Sequence, residues 1–143
     1  MAAPILPATP CLNTMTFAID TALLLDLAAI VAKAGASLPR RNRREGLARK
    51  PDGSIVTAAD VACEQALCAM LAQRLPGLPV VGEESASADG VMPDAETVAV
   101  IDPLDGTSAY ADGRDDYSVN LAIVRGGVAV LGVDQRQSGE VDA

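Results

Sequence analysis

The sequence predicts a layered α+β fold, and three observations predict it. Apolar residues recur at three- and four-residue spacing through the first half, the signature of helices with one buried stripe. Short β-branched runs replace that period in the second half. Two of those runs flank Arg125-Gly126-Gly127, the glycine chemistry of a tight hairpin turn. Two helices followed by mostly antiparallel strands give helices layered on a sheet.

In chain order, residues 1–15 carry Pro4, Pro7 and Pro10 and no basic n-region. They read as a disordered lead-in without a secretory signal, or as the product of a start assigned upstream of Met15, ahead of a domain over 16–143. Thr16 is placed to cap a first helix running to Ala36, with Ile19, Leu23, Leu27, Ile30 or Val31, and Ala34 as its buried stripe. A basic loop follows from Pro39 to Pro51. A second helix is predicted from Thr57 to Arg74, burying Val61, Ala62, Leu67 and Leu71 and ended by Pro76-Gly77. Pro79–Gly82 and Val98–Ile101 read as buried strands. Tyr117–Val124 and Val128–Val133 read as the two arms of the hairpin.

The 143 residues suit one domain. Half are hydrophobic, which argues against an intrinsically disordered chain. Phe17, Tyr110 and Tyr117 are the only aromatics, so the core must be aliphatic. The chain has no His, which excludes histidine catalysis and zinc sites built on His. Cys11, Cys63 and Cys68 cannot all pair within one chain, and a reduced cytoplasmic protein is the simplest reading. The longest apolar stretch, Leu23 to Ala34, is broken by Asp26 and Lys33, so no membrane-inserted segment is predicted.

The net charge of −8 is unevenly distributed: −1 over residues 1–39, +5 over 40–50 and −12 over 51–143. An acidic body with one basic loop disfavours a nucleic-acid polymer as partner and suits hard cations. The basic loop has two readings, a mobile solvated linker or a device that draws in an anionic substrate. Asp112, Asp115 and Asp116 read as a solvated loop.

Three acidic segments carry the chemistry. Asp102-Pro103-Leu104-Asp105-Gly106-Thr107-Ser108 follows an apolar run, and Pro103 should stop that strand because it lacks a ladder donor. A turn with Asp at both ends can aim two carboxylates and the Leu104 carbonyl at one point, oxygen chemistry suited to Mg²⁺ and phosphate. The same residues can also simply cap backbone in a turn. Glu83 and Glu84 at the end of another strand repel unless they are solvated or bridged by a cation. Thr57 and Asp60 have the spacing of a helix cap. The catalytic readings gain over the structural ones only if the three segments converge.

In order and spacing, Lys50–Asp60, Gly82-Glu83-Glu84-Ser85 and Asp102–Thr107 together resemble the inositol monophosphatase superfamily, over about residues 17–133. The pattern around Asp52–Asp60 is most similar to the CysQ-type 3′(2′),5′-bisphosphate nucleotidases. Ile55 and Ser108-Ala109-Tyr110 depart from that type, and Glu83-Glu84-Ser85 suits an inositol monophosphatase equally well. The resemblance implies a layered helix and antiparallel-sheet sandwich of the sugar-phosphatase type. It implies Mg²⁺-dependent, lithium-sensitive hydrolysis of a small phosphate monoester, on a nucleotide 3′-phosphate or an inositol phosphate.

By the same resemblance, Glu83, Asp102, Asp105 and the Leu104 carbonyl would ligate Mg²⁺. Asp60 and Thr107 would activate water. Gly106, Thr107 and Ser108 would meet the phosphate, with Lys50 as the candidate substrate contact from the basic loop. These enzymes carry a further aspartate in a Trp-Asp motif downstream of the hairpin, and this chain has no Trp. It therefore reads as the N-terminal portion of such a domain, with the C-terminal half missing. That reading leaves open a fragment that binds metal or phosphate without turnover. The uncharged hairpin strands further predict self-association.

Overall fold

The computed structural model describes residues 17–86 and 90–137. The predicted lead-in and the Thr16 cap lie outside the described residues. The first helix, α1 (Thr21–Ala36), starts at Asp20, whose Oδ1 accepts the Leu23 N–H at 2.8 Å. Asp20 therefore supplies the cap expected of Thr16, satisfying an N–H that has no partner within the helix. Leu23, Leu27, Val31 and Ala34 form its buried stripe as predicted, while Ile19 and Ile30 are only partly buried.

The basic loop is not an unstructured linker. Its end forms the two-residue strand β1 (Ala48–Arg49), which pairs antiparallel with β2 (Ile55–Val56) just beyond the loop. Helix α2 (Ala58–Arg74) follows, with Thr57 at its N-cap. Leu67 and Leu71 are buried as expected, but Val61 is 42% exposed and Ala62 is also on the surface. The inner face instead carries Ala59, Asp60, Cys63 and Glu64. Hydrophobicity points to the wrong face of the first two turns because two acids, four residues apart and hence on one side of the helix, are themselves buried.

The remaining strands, β3 (Val80–Gly82), β4 (Thr97–Asp105), β5 (Ser118–Arg125) and β6 (Val128–Arg136), form one sheet in sequence order. A short helix, α3 (Thr107–Ala111), joins β4 to β5. β3 pairs parallel to β4, and the other two pairings are antiparallel, so the sheet is mixed. The hairpin turn forms at Gly126 and Gly127, both at positive φ (56° and 78°), the twist that a two-residue turn between strands requires.

Helices α1 and α2 pack against this sheet, α2 over β4 and α1 over β5 and β6. Leu27, Val31, Leu67 and Leu71 meet Ala99, Ile101, Val119, Leu121 and Ile123 in one aliphatic core.

Contrary to expectation, Pro103 does not end its strand. Asp102 pairs with Asn120 and Asp105 with Ser118, so Pro103 and Leu104 together oppose Val119. This is a β-bulge, a place where a residue without an N–H is tolerated within a sheet. It also has a geometric effect. Residues three apart in a regular strand face opposite ways, but the extra residue returns Asp105 to the side that Asp102 faces.

Candidate active site

The three acidic segments converge. The Asp60 carboxylate, 1% exposed, collects three donors. Its Oδ2 accepts the Thr57 N–H at 2.8 Å and the Thr57 hydroxyl at 2.6 Å. Its Oδ1 accepts the Thr107 hydroxyl at 2.9 Å, across 47 residues of sequence. Asp60 thus reaches back as a helix-capping acid and at the same time holds the residue that opens α3. The Thr107 hydroxyl also lies 3.0 Å from the Leu104 carbonyl oxygen, so its one proton has two acceptors in reach.

The β3 end and the β4 bulge bring the Glu83 and Asp102 carboxyl groups together, close enough for each to favour a proton on the other. Asp102 is pushed up to about 7, first by burial and then by the neighbouring Glu83 carboxyl group, with a further push from Asp105. The Leu104 N–H, 3.2 Å from Asp102 Oδ1, pulls the other way. Lys50 spans the acidic pair on β3's end, its Nζ 3.3 Å from Glu83 and 3.0 Å from Glu84. Burial opposes the Lys50 charge, but the hydrogen bonds and charges of Glu84 and Glu83 outweigh it and raise the Lys50 pKa. Burial likewise raises Glu84, against the pull of Lys50.

Asp105, Gly106 and Ser108 are exposed. Gly106 sits at φ +90°, and a Cβ there would lie 2.9 Å from the Asp116 carbonyl oxygen, so the turn into α3 is built for glycine. Asp105 and Gly106 border an open cleft of about 670 Å³ whose far walls carry Asp134 and Arg136. Cys63 lies under the site, but burial, with the charges of Asp60, Asp102 and Glu64, pushes its thiol up to about 12, which leaves it unreactive at neutral pH.

The Glu83 and Asp102 side chains offer oxygen donors only, and a lysine ammonium already rests on Glu83. That donor set fits a hard divalent cation such as Mg²⁺ rather than a thiophilic one. Among the described residues no three acidic or sulfur side chains converge closely enough to hold an ion by themselves.

Residues 13–134 match the sequence profile of the Inositol monophosphatase family. The chain belongs to this family.

Its inositol monophosphatase relatives include the 3′(2′),5′-bisphosphate nucleotidase CysQ of Salmonella typhimurium, 38% identical over 86 residues, which are 60% of this chain and 35% of that protein. An inositol-1-monophosphatase of Caulobacter vibrioides is 32% identical over 59% of this chain and 32% of its own. The crystal structure of the extragenic suppressor protein suhB of Bartonella henselae superposes with a TM-score of 0.69 at 26% identity, over 82% of this chain and 45% of that one. The chain spans about a third of the length of the curated relatives it matches.

Two sets of contacts around these segments were not anticipated from the sequence. Glu64, 4% exposed, accepts the Glu84 N–H at 2.8 Å. The signal was its place four residues after Asp60, on the same helix face. Arg43 stacks over the Tyr110 and Tyr117 rings at 5.0 and 5.6 Å and donates to the Arg114 carbonyl and to Asp115. Arg44 pairs with Asp112 and Arg114 with Asp116. Arg43 and Arg44 of the basic loop thus pair with Asp115 and Asp112 of the acidic loop, whose carboxylates stay exposed as expected. Nothing local in the sequence pairs segments about 70 residues apart.

Proposed function

We propose that the chain carries the metal- and water-activating part of a Mg²⁺-dependent phosphate monoesterase. Its substrate is a small phosphorylated molecule, by preference adenosine 3′,5′-bisphosphate, which loses its 3′-phosphate. The observation that carries this reading is the Thr107 hydroxyl aimed at a buried Asp60, beside the Glu83–Asp102 pair. Glu83, Asp102, Asp105 and the Leu104 carbonyl would hold Mg²⁺. Bound there, the ion supplies charge neutralisation for phosphate and acidification of water.

The chain's own residues do the rest. Thr107 Oγ1 positions the attacking water and takes its proton while passing its own to Asp60 Oδ1. The two Thr57 donors on Asp60 Oδ2 keep that carboxylate oriented throughout. Gly106, Thr107 and Ser108 face the phosphate from the turn into α3, and Lys50 is the candidate contact for a second anionic group. The preference for a nucleotide rests on the greater similarity to CysQ, and an inositol phosphate is the alternative substrate.

The test measures phosphate release from adenosine 3′,5′-bisphosphate and from inositol 1-phosphate with Mg²⁺ present. Release that is lost in Asp105→Asn and inhibited by Li⁺ is the expected result. Release indifferent to both refutes it. The alternative of another class is a chain that binds Mg²⁺ or phosphate without turnover. Calorimetric Mg²⁺ binding lost in Asp102→Asn, with no hydrolysis, selects that one.

We further infer a cytoplasmic setting, supported by the free thiols of Cys63 and Cys68. No helix among the described residues is long and apolar enough to cross a membrane. Self-association through β6 is part of the same reading, since Val128 is 63% and Val130 40% exposed along a strand segment without charge.

A further inference from the structure

Glu64 is buried on α2, yet it does not belong to the set that would hold the metal, the water or the phosphate. Its carboxylate spends one oxygen on the backbone of the turn that follows β3, where Oε2 accepts the Glu84 N–H at 2.8 Å. The contact is tight on both sides. A Cβ at Gly82 would overlap the Glu64 carboxyl group, so only glycine lets the strand end approach the helix this closely. The same turn is closed by the Ala86 N–H on the Gly82 carbonyl at 2.9 Å.

Glu83 lies between these two anchored residues. With Gly82 pressed on the Glu64 carboxyl and Glu84 bonded to it, the backbone of Glu83 has little freedom, and its side chain is delivered to Asp102 and Lys50. Burying a carboxylate on a helix face is costly unless the group is hydrogen-bonded. A leucine at this place would fit the aliphatic stripe of α2 without that cost, but would leave the turn unheld.

We propose that Glu64 is a positioning residue: it fixes the Gly82–Glu84 turn and thereby aims Glu83 at the metal site. The inference rests on the metal-site reading above. It predicts that the reach of the side chain matters more than its charge. Glu64→Gln keeps an acceptor oxygen at the same distance, whereas Glu64→Asp keeps the charge and withdraws it by one methylene.

The experiment pairs two readouts on these variants of the full chain. Hydrogen exchange at the Glu84 amide reports the Glu64 bond without any metal. Calorimetry reports Mg²⁺ affinity. Glu64→Asp should lose protection at the Glu84 amide and bind Mg²⁺ about 10–100-fold more weakly, the usual effect of losing a group that orients a ligand. Glu64→Gln should retain protection and stay within about threefold of the wild-type affinity. Gly82→Ala should reproduce the Glu64→Asp losses from the other side of the contact.

The proposal is overturned if Glu64→Asp leaves Mg²⁺ affinity unchanged, whether or not the amide loses protection. It is equally overturned if Glu64→Gln weakens binding as much as Glu64→Asp. Should the wild-type chain bind no Mg²⁺, the metal-site reading fails and the positioning role with it. Amide exchange in the variants then identifies the Glu64–Glu84 bond as purely structural.

Discussion

Asp102→Asn should stabilise the metal-free chain at pH 8 and have little effect at pH 4. Asp102 is half-buried against Glu83, and its carboxyl is raised from 3.8 to about 7. At about 1.4 kcal/mol per pH unit, that rise corresponds to about 4 kcal/mol. Asp102 is about half open to water, and screening brings the figure to about 2 kcal/mol. The folded state holds this proton more tightly than the unfolded chain does. The associated stability is therefore complete below pH 3.8 and is lost as pH rises to about 7.

Asparagine mimics the protonated acid at every pH, because it is neutral and can donate to Glu83. Thermal melts by circular dichroism in EDTA, from pH 4 to pH 8, measure the effect. The variant should melt about 6–8 °C above wild type at pH 8, with the gap closing toward pH 4. Added Mg²⁺ should raise the melting temperature of wild type and not of the variant. A variant less stable than wild type at pH 8, or a gap independent of pH, would refute the reasoning.

Leu67→Ala should cost about 2–5 kcal/mol in urea unfolding, because Leu67 is fully buried, while Val61→Ala should stay within about 0.5 kcal/mol because Val61 faces solvent. Equal effects would contradict the observed helix face. Gly106→Ala, which combines positive φ with a close Asp116 carbonyl, should lose about 1–3 kcal/mol in the same assay and reduce phosphate release. Val130→Lys should shift light scattering toward monomer, since a charge on an exposed strand opposes edge pairing. An unchanged mass would argue against association through β6.

Periodicity and turn chemistry were readable because they are local. The α1 stripe, the Gly126-Gly127 hairpin and the span of α2 each depend on residues within a few positions of one another. Resemblance to the inositol monophosphatase superfamily was equally legible, since the acidic motifs are short and stand in order along the chain. Where sequence reading went wrong, a long-range contact had overridden a local preference. Pro103 should end a strand, yet β5 pairs on both sides of it and absorbs it as a bulge. Val61 and Ala62 should be buried by hydrophobicity, yet Asp60 and Glu64 take the inner face. Those two acids can lie there because Thr57, Thr107 and Glu84 supply their hydrogen bonds.

The sequence by itself therefore determined the class of fold, the family and the kinds of atom available for chemistry: carboxylates, hydroxyls and carbonyls, with no imidazole. Tertiary structure alone decided which of those atoms meet. Asp60 reaches Thr107, Glu83 reaches Asp102, and Arg43 reaches Asp115 only after α2, the sheet and the loops have packed. The physical reason is range. Helix caps and turns are set by neighbours along the chain, whereas a carboxylate's partners are whatever donors packing brings within about 3 Å, and no local pattern encodes that distance.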